Sequence, residues 1–165
     1  MSGRGRPLPA TLSSEILDEL RGSLLRRGVS KAAADHRIEQ MEAHFPDAAV
    51  RGYKSMIAAM ANDPKDRHVL AAAVRGRADL IVTENLRDFP ADATSPYSLH
   101  VVDQDEFLLD QWDLDPLAVR RALSRQVSRY RREPRAVEDL LIALGRPGNG
   151  CPRFATTCLE YPPRA

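Results

Sequence analysis

Lysine is scarce in this chain: Lys31, Lys54 and Lys65 are three of its 24 basic residues, and the others are arginine. That bias suits phosphate recognition, although a GC-rich genome produces the same composition. Net charge is nearly absent as well. At +1 over 165 residues there is no global attraction to nucleic acid, so any affinity for RNA or DNA must come from a local patch. Cysteine occurs twice, at Cys151 and Cys158. Two thiols whose spacing matches no common finger do not make a zinc site, and a reducing cytoplasm is the default setting. No apolar run approaches the roughly 20 residues of a membrane span. The basic start at residues 1–6 has no apolar segment behind it and does not read as a signal peptide. Internal repeats are missing too, and so is low-complexity sequence beyond the first dozen residues.

What is there suffices for one globular domain. A hydrophobic fraction of 43% supports a core, and the length fits a single domain. Residues 1–12 are rich in Gly and Pro and are expected to be poorly ordered. Ser13-Ser14-Glu15 caps a helix running to about Arg27, with Ile16, Leu17, Leu20, Leu24 and Leu25 on its apolar face. Ser30 caps a second helix to about His44, with Ile38, Met41 and Phe45 facing inward. An extended piece at Ala49-Val50 and a helical turn at 54–60 follow. A small-residue helix over 69–74 precedes a strand at 79–83, and a second strand covers 99–102. Asp103 caps a helix over 104–112. Asp115-Pro116 opens an Arg-rich helix ending near Arg132, and a last helix ends before Gly145. The tail from Arg146 reads as irregular. Helices with two or three strands make an α/β chain, but two parallel strands are a thin scaffold for so many helices.

Chemistry concentrates in two stretches: Asp63-Pro64-Lys65-Asp66-Arg67-His68, and Thr83-Glu84-Asn85-Leu86-Arg87-Asp88-Phe89-Pro90. The first opens a helix. The second follows the carboxyl end of a strand, where ligands collect in α/β folds. Carboxylate oxygens there suit Mg²⁺ or Mn²⁺, hard ions that assist phosphoryl transfer. Each residue also has a plainer reading. Asp63 followed by Pro64 is a helix cap, which puts Asp66 in the first helical turn and free to face a cleft. Thr83, Asn85 and Asp88 could form a capping turn, with Asn85 and Asp88 on one face. Glu15 complements the helix dipole. Glu19 lies beside the apolar stripe and needs a partner, whether a metal, an arginine or solvent. His68 is a general-base candidate or a structural histidine. Arg120, Arg121, Arg125, Arg129, Arg131, Arg132 and Arg135 form the one basic concentration. Positions 121, 125, 129 and 132 give a stripe that suits an RNA backbone, an acidic partner or plain solvent.

Together these segments resemble the PIN-domain family of metal-dependent ribonucleases, in the branch of VapC-type toxins. The residues that carry the resemblance are Ser14–Leu20, Asp63–Ala73 and Ala78–Pro90, within a region of roughly 13–145; Asp103–Trp112 also looks like the family's helix after its later strand. The resemblance implies a three-layer sandwich with a small parallel sheet flanked by helices. It divides the chain into a PIN-like domain over 13–112, a helical extension over 113–145 and a tail over 146–165. It implies Mg²⁺ or Mn²⁺ held by Glu19, Asp66 and Asp88, with Glu15 as a substitute for Glu19. Asp66, Asn85 and Thr83 become the catalytic set, with Asn85 and Thr83 orienting water or phosphate. An RNA substrate, a cognate antitoxin and a homodimer are the implied partners, without a membrane. One departure stands out. The family's first strand carries a metal-binding Asp, and residues 1–12 contain no Asp, so that strand is expected to be missing. Three functions follow: a metal-dependent endoribonuclease toxin, an impaired PIN-like module that binds antitoxin or RNA, or a simple nucleic-acid binder using the Arg stripe.

Overall fold

The computed structural model describes residues 11–148 and 150–161. Most of the expected disordered segment, residues 1–10, lies outside the described residues. The chain divides into two compact units, Met1–Ile81 with Arg87–His100, and Val82–Leu86 with Val101–Ala165. Two strands, β1 (Leu80–Val82) and β2 (His100–Val102), pair in a two-stranded sheet. Their register is parallel: the His100 amide donates to the Asp79 carbonyl and the Thr83 amide to the Val102 carbonyl, both at 3.0 Å. The protein is an α/β chain, as expected.

In the first unit, α1 (Ser14–Arg26) starts where the Ser13 hydroxyl accepts from the Ile16 amide at 3.2 Å. Its Leu17 and Leu24 are buried, but Leu25 is 42% exposed and does not join the apolar face expected of it. Ser30 caps α2 (Lys31–His44) by accepting from the Ala33 amide, and α1 and α2 are tied by an Arg21–Asp35 ion pair at 2.6 Å. Phe45 was expected to face inward. It follows the last helical residue with φ −127°, which breaks the helical periodicity, and it is 46% exposed. Only Ala34 of α2 is buried.

The extended piece at Ala49 pairs in parallel with Leu12, whose amide donates to the Ala48 carbonyl (2.8 Å) while its carbonyl accepts from Val50 (2.9 Å). This crossing passes the end of α3 (Arg67–Gly76). A Cβ at Gly76 would sit 2.7 Å from Thr11 Cγ2 and 3.0 Å from Val50 Cγ2, so only glycine fits there. Earlier in α3, Leu70, Ala71, Ala72 and Ala73 are buried. The three small alanine side chains let the helix pack closely on the 3-10 turn Lys54–Ala59. After β1 come a 3-10 turn (Leu86–Asp88), the short α4 (Ala91–Thr94) and a 3-10 turn (Ser95–Tyr97).

The second unit is helical: α5 (Gln104–Leu114), α6 (Pro116–Ser128), α7 (Val137–Leu144) and α8 (Pro152–Glu160). Asp103 and Asp115 cap α5 and α6, each accepting an amide hydrogen bond at 2.8 Å. Helix α6 stops at Ser128 rather than near Arg132, so Arg131 and Arg132 lie off the helix. The tail that reads as irregular contains α8. Its pattern is hard to see because Pro152 opens it and only Phe154, Ala155 and Cys158 are buried. Those residues complete a core with Trp112, Leu123, Val127, Val137, Leu140, Leu141 and Cys151. Trp112 meets Phe154 edge to face at 6.5 Å. Burial raises the thiol pKa of Cys151 and pushes that of Cys158 up to about 11, so both behave as core residues.

Asp105 of α5 holds α8 in place from a buried position. Its Oδ1 accepts from the Phe154 amide (2.8 Å), and its Oδ2 accepts from the Arg153 amide (3.0 Å) and Nε (3.1 Å). The carboxylate thus caps the start of α8 from another helix. Burial alone would raise its pKa, but the Phe154 and Arg153 donors outweigh this and lower it. Asp105→Asn turns one acceptor into a donor facing these N–H groups, and the second unit should lose about 2–3 kcal/mol. Because the folded pKa lies below 3.8, that contribution is present above 3.8 and is lost as pH falls through the folded value. Urea unfolding followed by Trp112 fluorescence should give the variant a lower midpoint at pH 7 and a narrowing gap in acid. Equal midpoints at pH 7 would contradict this role.

Candidate acidic site

Four residues in a row set up the site. Asp63 accepts from the Lys65 amide at 3.0 Å and, with Pro64 next, opens the 3-10 turn Pro64–Asp66. Asp66 then stands at the start of α3 without a side-chain capping bond, which leaves its carboxylate free for other partners. The turn after β1 is brought against this segment by a backbone bond from the Asp63 amide to the Asp88 carbonyl (3.1 Å). As a result, Asp66 and Asp88, 22 positions apart, share one pocket of charge.

Lys65 sits between them. Its Nζ donates to Asp88 Oδ2 at 2.8 Å and lies 3.6 Å from Asp66 Oδ2. Both carboxylates are largely shielded, at 19% exposure for Asp66 and 16% for Asp88. Burial raises the Asp66 pKa, and the neighbouring Asp88 carboxylate raises it further. Asp88 moves the other way, lowered first by its hydrogen bond to Lys65. That bond with Asp88 raises the Lys65 pKa. Two carboxyls whose environments push them apart around one cation form a polarised pair. Asp66 Oδ2 is buried and has no hydrogen-bond partner of its own.

The other expected residues have different surroundings. Glu19 projects from α1 with 62% exposure, and its Oε1 lies 3.4 Å from His68 Nε2. His68 is shielded and its Nδ1 lies 3.0 Å from the Lys65 carbonyl, which fixes the ring beside the acidic pair. Glu15 is taken by Tyr53, whose hydroxyl donates to it at 2.9 Å, and by Lys54 at 3.5 Å. The expected trio of Glu19, Asp66 and Asp88 is therefore joined only at Asp66 and Asp88. Among the described residues, no three His, Cys, Asp or Glu side chains are arranged to hold a metal ion. In the second unit, Thr83 Oγ1 accepts from the Asn85 amide at 3.1 Å, which turns the chain just after β1; Asn85 is exposed. Glu84 accepts from Gln104 Nε2 at 2.9 Å.

Two shielded carboxylates, one with an unsatisfied buried oxygen, suit a hard divalent cation. Mg²⁺ in particular is often held by one or two carboxylates and completed by water and phosphate. Asp66 and Asp88 would hold it where Lys65 Nζ now lies. Sequence reasoning overlooked Lys65, although its position between Asp63 and Asp66 was the available signal.

Comparison with known proteins points to a PIN domain. Residues 6–87 match the PIN domain, and residues 104–160 match the VapC50 C-terminal domain. These two matches support a VapC-type PIN-domain protein. A Mycobacterium tuberculosis protein named "Putative ribonuclease VapC50" is 49% identical over 104 residues, which cover 63% of this chain and 60% of that protein. No solved structure matches the chain. No helix among the described residues is long and apolar enough to cross a membrane.

If the Lys65 ammonium fills the cation position, removing it should favour a metal. Lys65→Met is expected to tighten Mg²⁺ binding roughly fivefold or more, since one charge at contact distance is worth about 1 kcal/mol or more. Isothermal calorimetry measures this directly; unchanged or weaker binding would count against the overlap.

Proposed function

We propose that the protein is a metal-dependent endoribonuclease that cleaves RNA phosphodiester bonds, the toxin half of a toxin–antitoxin pair. One observation carries the reading: Asp66 and Asp88, from separate segments, converge on a single cation position, with a buried Asp66 oxygen unsatisfied. Resemblance to the VapC-type family supports RNA and an antitoxin as partners. When bound, Mg²⁺ or Mn²⁺ supplies Lewis-acid stabilisation of phosphoryl charge and a more acidic water.

The chain's own residues do the rest. Asp66 and Asp88 would hold the ion; Glu19, exposed and beside His68, lies outside that pair. The Thr83 hydroxyl and the Asn85 amide orient water or the substrate phosphate, the role that the catalytic set of Asp66, Asn85 and Thr83 requires. Lys65, once displaced, is a cation at the same edge that can pair with a phosphate oxygen.

Purified protein should cleave single-stranded RNA with Mg²⁺, lose cleavage in EDTA and regain it with Mg²⁺ or Mn²⁺. Asp66→Asn should lower the rate at least a hundredfold. Equal cleavage by the variant would refute the assignment.

A second reading draws on the lack of a third acidic side chain beside the pair among the described residues. It is an impaired module that binds antitoxin or RNA without cutting. Mg²⁺ binding undetectable by calorimetry, together with retained partner binding, would select it. For the homodimer, size-exclusion chromatography with light scattering should give about twice the 18.3 kDa chain mass; a monomer mass would remove the dimer from the reading.

A further inference from the structure

Away from the acidic site, charge segregates most strongly over residues 116–135. Seven arginines stand there against one acid, Glu133, a net +6 that leaves the other 145 residues at −5. Part of this charge is already engaged. Arg120 pairs with Glu138, Arg121 lies 3.9 Å from Asp115, and Arg135 donates to the Arg131 carbonyl at 3.0 Å. The guanidinium groups of Arg125, Arg129, Arg131 and Arg132 have no partner among the described residues, and all four residues are exposed. Buried Leu123 and Val127 fix the inner side of α6. The helix end is closed by amide bonds from Arg129 to Gln126 and from Tyr130 to Val127. Arg129-Tyr130-Arg131-Arg132 therefore leaves a rigid helix end as a cationic run with an aromatic ring inside it. Tyr130 is 38% exposed, and its hydroxyl is held by Gln126 Nε2 at 2.6 Å.

We propose that this face, four unpaired guanidiniums around Tyr130, binds single-stranded RNA. The arginines take successive phosphates and the tyrosine ring takes a base. Like charges crowded on one helix end repel each other, and a polyanion relieves that repulsion while releasing counterions. Guanidinium forks match phosphate oxygens in pairs. An acidic peptide could use the charges but has no base to lay on the exposed ring, whereas stacking on aromatics is a general device of single-strand binders. The choice of RNA rests on the ribonuclease reading above. The binding itself needs neither metal nor cleavage.

The test uses the full chain and a labelled 12-nucleotide single-stranded RNA in EDTA, followed by fluorescence anisotropy from 50 to 300 mM salt. Four phosphate contacts predict a log–log salt slope of roughly −3. The Arg125, Arg129, Arg131 and Arg132→Gln variant should lose most of that slope and bind at least tenfold more weakly at the lowest salt. Tyr130→Ala should weaken binding about fivefold or more at unchanged slope. Arg131→Gln with Arg132→Gln, which touches no helix, should lose about half the slope and guards against misfolding of the larger variant. An unchanged slope and affinity in the arginine variants would overturn the proposal. So would a 12-residue polyglutamate binding as tightly as the RNA with Tyr130→Ala without effect, which would mark an acidic protein partner instead. Since EDTA prevents cleavage, loss of this binding face and loss of Mg²⁺-dependent cleavage are separately readable outcomes.

Discussion

Two shielded carboxylates cannot remain charged side by side without a cation between them, and in this chain the Lys65 ammonium meets that need. The first unit is arranged so that the three groups meet. Asp63 and Pro64 force a tight turn that aims Lys65 outward and leaves Asp66 at the head of α3. The backbone bond from Asp63 to Asp88 draws in the turn after β1. The small residues of α3 and the glycine at its end let neighbouring segments approach closely enough to seat that helix.

The second unit depends on a buried acid used in the opposite way. Asp105 is satisfied entirely by donors of the chain, so it stays charged and serves structure. Asp66 keeps an unsatisfied oxygen and a raised pKa, the condition expected of a carboxyl awaiting a ligand. The contrast separates an acid that holds the fold together from one that, in the proposed function, would hold a cation.

Much of this was legible in the sequence. Capping residues Ser13, Ser30, Asp103 and Asp115 mark helix starts through local hydrogen bonds, which adjacent residues determine. Both strands were readable from their short apolar runs, and the nearness of the Asp66 and Asp88 segments was suggested only by the family resemblance. What stayed hidden depends on partners distant in the chain. The role of Asp105 requires α8, 48 residues later, whose proline start and sparse apolar pattern read as irregular. Glu19 looked like a ligand because it lies beside an apolar stripe, but its contact with His68 cannot be read from spacing. The extent of α6 was overestimated because arginine favours helix at least as well as it favours the turn that follows.

The central claim is that Asp66 and Asp88, which flank the Lys65 ammonium, define a divalent-cation position. Anomalous scattering from a crystal grown with Mn²⁺ tests it most directly. The account predicts a manganese peak bonded to both carboxylates, with Lys65 Nζ withdrawn from Asp88. Manganese bound elsewhere, or Lys65 still bridging the two aspartates in saturating Mn²⁺, would contradict it.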